Sequence, residues 1–134
     1  MIKYTIYQQK RKGGNNLFYG RAVHDEIIDF EVLAERIQRN ASVKKSDCLA
    51  VLSELAEVMN DELASGKKVR LNDVGLFWLS IKSSGAITED EYSATDNIKG
   101  VRVKFLPEGH KSNGVMSRAF TQNLTFKRAT GSVK

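Results

Sequence analysis

From Asp29 to Pro107 the apolar residues change their period at Gly66, and that change restricts the fold more than any other feature of the chain. Between Asp29 and Gly66 they recur at helical spacing, and from Gly66 to Pro107 they alternate. From Asp29, a residue type that caps helix N-termini, Phe30, Leu33, Ala34 and Ile37 fall on one face of a helix predicted to run through about Asn40. After Val43 a longer helix is predicted, with Leu49, Leu52, Leu55, Ala56, Met59 and Leu63 on one stripe and Gly66 just past its end. Residues 41–44 form the turn between them. Lys44 falls near the expected N-cap with no acceptor to offer, so Ser42 or Asp47 is expected to serve the helix start.

Beyond Gly66, Val69 and Leu71 alternate with Lys68, Arg70 and Asn72; Asp73-Val74-Gly75 turns; then Phe77, Leu79 and Ile81 alternate with Trp78 and Ser80. That pattern is a strand, a tight reversal and a second strand. Residues 83–98 join Ser83-Ser84-Gly85, the acidic Glu89-Asp90-Glu91 and a polar run, which predicts a long loop or an extended arm. A third strand over residues 101–106 stops at Pro107, Pro107-Glu108-Gly109 turns, and residues 115–120 are expected to form a short helix weakened by Gly114. Residues 124–134 are expected to add a strand and then fray. Ahead of Asp29, the alternating segments 2–9 and 17–23 flank Lys10-Arg11-Lys12-Gly13-Gly14-Asn15-Asn16, a hairpin with a basic tip. The predicted class is therefore α+β: two helices packed on a three-stranded antiparallel sheet, with an N-terminal β-hairpin extension over residues 1–28, the helix and sheet domain over 29–122, and a tail over 123–134.

A chain of 134 residues is about one domain long, and 41% hydrophobic with 28% charged residues is too apolar for a disordered polymer. No run reaches the roughly 18 apolar residues of a membrane span, and the start of the chain alternates instead of forming an apolar signal core. The expectation is a soluble, unexported, cytoplasmic protein that engages no membrane. The single cysteine, Cys48, cannot form an internal disulfide.

Charge is segregated along the chain. Residues 1–24 carry five basic side chains and no acid, residues 25–66 carry ten acids against four bases, and residues 67–134 carry twelve bases against six acids. The running balance of +5, −6 and +6 suits a protein with one polyanion-facing side. Catalysis has little to stand on. His24 and His110 are isolated, Cys48 lies on an apolar helix stripe, Glu89-Asp90-Glu91 lacks the spacing of a calcium loop, and Gly66-Lys67 lacks the glycine five residues earlier that a phosphate loop needs. No catalytic residue, metal, cofactor or small-molecule substrate is predicted. Only one of Phe77 and Trp78 can face outward, and both are assigned to packing, Trp78 partly covered.

The order of elements, with Val69-Arg70-Leu71-Asn72-Asp73-Val74-Gly75-Leu76-Phe77 and Phe105-Leu106-Pro107 followed by Gly109 and Lys111, resembles the HU/IHF family of bacterial histone-like DNA-binding proteins over about residues 29–120. The basic hairpin, Leu33-Ala34-Glu35-Arg36-Ile37 and Asn97-Ile98-Lys99-Gly100-Val101-Arg102-Val103 are similar to the longer HU-like variants of Bacteroidetes. The resemblance implies an intertwined homodimer whose arms embrace double-stranded DNA through the minor groove, in a nucleoid-associated, architectural role. Apolar Cys48, Val51 and Val58 lie outside the main stripe of the second helix and give a twin something to cover; the alternative is a monomer whose hairpin covers that face.

The family's best-known members wedge an arm-tip proline between base pairs. Here that region reads Thr88-Glu89-Asp90-Glu91, and the only proline is Pro107. Contacts are accordingly expected at Lys67, Lys68 and Arg70 on the first sheet strand, at Lys82, Lys99, Arg102 and Lys104 at the arm bases, and at Lys111 and Arg118 near the predicted last helix. Alternation sets Lys68 and Arg70 opposite Val69 and Leu71, and Arg102 and Lys104 opposite Val101, Val103 and Phe105, so two cationic rows would track a phosphate backbone without reading sequence. Lys10, Arg11, Lys12 and Arg21 offer a second footprint, or simply a solvated hairpin tip. The alternatives are an HU-fold protein-interaction module that uses the hairpin as an edge strand, and a binder of single-stranded nucleic acid.

Overall fold

Gly66 is where helix gives way to strand. The computed structural model describes residues 1–130, in the order β1 (Ile2–Gln9), β2 (Leu17–Val23), α1 (Phe30–Asn40), α2 (Lys45–Ala64), β3 (Val69–Leu71), β4 (Gly75–Ser83), α3 (Ala94–Asn97), β5 (Ile98–Pro107), β6 (Gly109–Ser112), β7 (Val115–Arg118) and β8 (Phe126–Arg128). These elements make a mixed α+β chain of two units, Phe30–Phe120 and a second formed by Met1–Asp29 with the segment from Thr121.

In the larger unit α1 packs along α2, and α2 packs against β3 and β4. The buried apolar side chains among the described residues, Ala34 and Cys48, belong to these two helices. The start of α2 is served by neither Ser42 nor its own N-cap: Lys44 makes no side-chain cap, and the Lys45 amide donates to Gln38 Oε1 of α1 at 2.6 Å. Asp47 still places a carboxylate in the first turn. The Lys45 ammonium reaches Glu31 at 2.9 Å and Glu35 at 3.4 Å, tying the two helices a second time. At the other end Gly66 takes the left-handed φ of 85° that lets the chain leave the helix, and its amide donates to the Leu63 carbonyl.

β3, β4 and β5 form an antiparallel sheet in that order. The β3–β4 reversal holds Asp73 at φ 68°, closed by the Val74 amide on the Leu71 carbonyl at 3.0 Å. Gly75 follows for want of space, since a Cβ there would collide with the Leu106 carbonyl oxygen and lie 2.5 Å from the Phe105 ring. β4 and β5 run on together to Ser83 and Ile98, with a register shift between Lys82 and Ser83. The 83–98 connection closes on itself. Asn97, 8% exposed, accepts from the Ser93 amide and donates to Ser84 Oγ and the Gly85 carbonyl, while Ser83 Oγ and the Tyr92 hydroxyl lie 2.6 Å apart. Glu89, Asp90 and Glu91 remain exposed on it.

The short helix expected over residues 115–120 is not formed. Instead β6 and β7 pair as an antiparallel hairpin, with Ser112 opposite Val115. The reason is turn chemistry. Asn113 and Gly114 take φ of 50° and 80°, the two positive values a tight type I′ reversal requires, and Asn-Gly is the pair that adopts them most cheaply.

In the smaller unit the strand order is β2-β1-β8, with β1 antiparallel to β2 and parallel to β8. β8 is the strand expected in the tail; the fraying expected toward residue 134 lies, from 131 on, outside the described residues.

Candidate nucleic-acid interface

Strand register sorts the larger sheet into two unlike faces. Arg70 lies opposite Leu76, Trp78 opposite Lys104, Ser80 opposite Arg102 and Lys82 opposite Gly100; these residues share one face because side chains alternate along each strand. The other face carries Val69, Leu71, Phe77, Leu79, Ile81, Val101, Val103 and Phe105, with the Phe77 and Phe105 rings 4.7 Å apart.

The first face is cationic around one aromatic ring. Lys68, just before β3, holds its ammonium 5.2 Å from the centre of the Trp78 ring, within cation–π range, while Lys104 stands across the strand pair from the same ring. Arg102 follows two residues earlier on β5, about 6.6 Å along the strand. Among the described residues no ion pair involves Lys68, Lys82, Arg102 or Lys104. Arg70 is shared: its Nε lies 3.5 Å from the Glu108 carboxylate, which is largely covered. Arg118 joins the same end of the face, lining a pocket of about 120 Å³ with Arg70, Leu106 and Glu108. Its guanidinium donates to the Pro107 carbonyl at 3.1 Å, crossing Gly109 where a Cβ would sit 2.6 Å from it.

The remaining candidates are placed otherwise. Lys67 pairs with Glu62 at 2.9 Å, though it lines a small pocket with Lys68 and Trp78. Lys99 is the residue left without a cross-strand partner at the β4–β5 register shift, outside the alternation. Lys111 sits on β6 opposite Met116. Lys10, Arg11, Lys12 and Arg21 belong to the smaller unit, at the β1–β2 turn and on β2.

Trp78 is the residue that alternation alone left in packing. Its parity with Lys82, and the three-residue β3–β4 turn that aligns it with Lys68 and Arg70, are the signals that assign it to the charged face. Residues 30–120 contain 13 basic and 13 acidic side chains, so this face owes its charge to segregation and not to a surplus in the unit. Among the described residues no group of three His, Cys, Asp or Glu side chains is arranged to hold a metal, and no helix is long and apolar enough to cross a membrane.

A family model described as an HU domain fused to a wHTH, Ig or glycine-rich motif matches residues 1–122. Among solved structures, one of a proposed bacterial DNA-binding protein from Bacteroides vulgatus is similar, with a TM-score of 0.55 at 15% sequence identity, over 78% of this chain. The match spans 40% of that protein's length, and at this identity it speaks for the fold. No curated protein matches the chain.

Proposed function

The chain belongs to the HU-HIG family, and on that premise we propose that it binds double-stranded DNA with little sequence preference, as a non-enzymatic homodimer with a nucleoid-associated, architectural role. The observation that carries this reading is the set of Lys68, Arg70, Lys82, Arg102 and Lys104 on one sheet face around Trp78. Cations spaced over three neighbouring strands suit a phosphate backbone, which gives affinity and orientation without base readout. Lys67 and Arg118 flank that face as secondary contacts, Lys111 adds a further cation on β6, and the β4–β5 ribbon with Lys82 and Lys99 is the part assigned to the minor groove. Glu89, Asp90 and Glu91 would be repelled by phosphate, so the folded tip stays off the DNA and no wedge is inserted. The DNA binding proposed for the Bacteroides vulgatus protein agrees with this reading.

Support for the homodimer comes from what the larger unit leaves uncovered. Val51 and Val58 on α2 and Ile81, Val101 and Val103 on the apolar sheet face are exposed, Val103 by 68% and Val51 by 64%. Apolar surface of this extent, on a unit whose buried apolar side chains are an alanine and a cysteine, suits coverage by a second copy. Mobility shift of a short random-sequence duplex at low and moderate salt, with light scattering on the free protein, tests both parts. The expected result is a retarded band lost as salt rises and a mass twice that of the chain; no shift at low salt, or a monomeric mass at working concentration, contradicts the corresponding part.

One observation favours a second reading, a protein-interaction module of the same fold. β2 is an edge strand of its sheet, with Leu17 and Phe18 exposed, and a partner strand could add there. A pull-down recovering a stoichiometric protein and no nucleic acid would support it over the first.

A further inference from the structure

The smaller unit holds the protein's surplus charge. Residues 1–29 and 121–130 carry seven basic side chains against Asp25, Glu26 and Asp29, whereas residues 30–120 are balanced at 13 and 13. Register puts three of those seven basic side chains on one sheet face. Lys3 lies between Val23 and Lys127, Thr5 opposite Arg21, and Tyr7 opposite Tyr19, so Lys127, Lys3, Arg21 and the two tyrosines point to the same side.

The two arginines on or beside this face are each held by a tyrosine. The Arg21 guanidinium lies 4.3 Å above the Tyr7 ring centre, and Arg11 Nη2 donates to the Tyr19 hydroxyl at 3.1 Å. The two rings lie against each other at 6.0 Å, linking both supports. A guanidinium stacked on a ring keeps its edge N–H groups free, and that edge fits a phosphate bidentately. Among the described residues no ion pair involves Arg11 or Arg21, while Lys3 is paired with Asp25 at 3.2 Å. At the far end of the face, Lys3, Val23, Asp25, Lys127 and Arg128 help line an open pocket of about 410 Å³. The six residue steps from Lys3 to Gln9 span about 20 Å, too long for one small anion and suited to a run of phosphates.

We propose that this face is a second phosphodiester-binding site, in which Arg11 and Arg21, positioned by Tyr19 and Tyr7, grip the backbone of a nucleic-acid strand. It does not depend on the reading of the β3–β4–β5 face. Positioning before contact lowers the ordering cost that mobile arginines would incur on binding.

The test uses the full chain and fluorescence anisotropy with two probes, a 20-nucleotide single strand and a 20-base-pair duplex, across a salt series. Arg11→Gln/Arg21→Gln is expected to weaken binding of at least one probe about tenfold and to reduce the magnitude of the log–log salt slope by about 1.4 on the single strand or 1.8 on the duplex. The probe that responds tells which form the site accepts. Arg11→Lys/Arg21→Lys, which keeps the charge and loses the planar stack, should fall between the Gln pair and the parent. Should the Gln pair lose its near-ultraviolet tyrosine dichroism, the single variants Arg11→Gln and Arg21→Gln replace it, each expected about threefold weaker. Parent-like affinity for both probes in folded Gln variants overturns the proposal. Arg102→Gln/Lys104→Gln provides the separation: if it weakens duplex binding while the folded Arg11/Arg21 variants weaken binding of neither probe, the second site fails and the sheet reading stands, and if the Arg11/Arg21 variants weaken binding while Arg102→Gln/Lys104→Gln leaves duplex binding unchanged, the sheet reading alone fails.

Discussion

The ammonium of Lys68 rests 5.2 Å from the centre of the Trp78 ring, and Lys104 stands opposite the same tryptophan across the β4–β5 pair. A half-buried aromatic thus sits between two cations on the face proposed to meet DNA. Trp78 is the chain's one tryptophan, so it reports on that face without labelling.

Duplex DNA is therefore expected to change the intrinsic tryptophan emission, saturating with the binding isotherm. Lys68→Ala should alter the emission of the free protein by removing the ammonium from the ring, and should weaken duplex binding about threefold. Emission that stays constant while anisotropy reports full binding would move the contact away from Trp78.

Glu108 withholds part of Arg70's charge from any ligand. Glu108→Gln should tighten duplex binding about two- to threefold at low salt and leave folding stability within about 0.5 kcal/mol, since a pair with an exposed arginine is worth little. Arg70→Gln should act in the opposite direction. Equal affinities for parent and Glu108→Gln would show that Arg70 takes no part.

Gly75 has no room for a side chain. Gly75→Ala is expected to lower stability by about 2–3 kcal/mol in urea unfolding, because the new methyl meets the Leu106 carbonyl and the Phe105 ring. Gly85→Ala, in open space, should be neutral within about 0.5 kcal/mol. A mild Gly75→Ala would mean that β5 can shift away from the β3–β4 turn.

Hydrogen bonding to Glu31, opposed by partial desolvation and reinforced by Glu35, raises the Lys45 ammonium above its ordinary 10.5. A folded-state value above the unfolded one stabilises the fold fully below pH 10.5, and that stabilisation is lost as pH climbs through the raised value. Lys45→Met should therefore lower the thermal midpoint at pH 8, with the difference from the parent shrinking in strongly alkaline buffer. A difference that persists unchanged there would place its origin in packing of the lysine stem.

The elements set by local periodicity were legible in the sequence. Phe30–Asn40 and the strands flanking Asp73 follow from spacing, and the basic hairpin follows from two alternating runs about a glycine pair. What escaped depends on geometry between elements or on two-residue chemistry. Counting apolar residues over 115–120 favoured a helix, whereas Asn113-Gly114 decides for a hairpin through two positive φ angles. The cap on α2 comes from Gln38, seven residues away on another helix, which no local motif announces. Trp78's neighbours follow from turn length and cross-strand register, and Arg70's carboxylate, Glu108, lies 38 positions along the chain. The tyrosine supports of Arg11 and Arg21 likewise arise from the pairing of β1 with β2.

The salt dependence of duplex binding, compared between the parent and Arg102→Gln/Lys104→Gln, tests the central claim most directly. The parent should give a log–log slope of about −4 to −7, as for about five to eight neutralised phosphates, and the variant a slope smaller in magnitude by about 1.8 for any duplex sequence. A flat response in the parent, or an unchanged slope in the variant, would contradict the account.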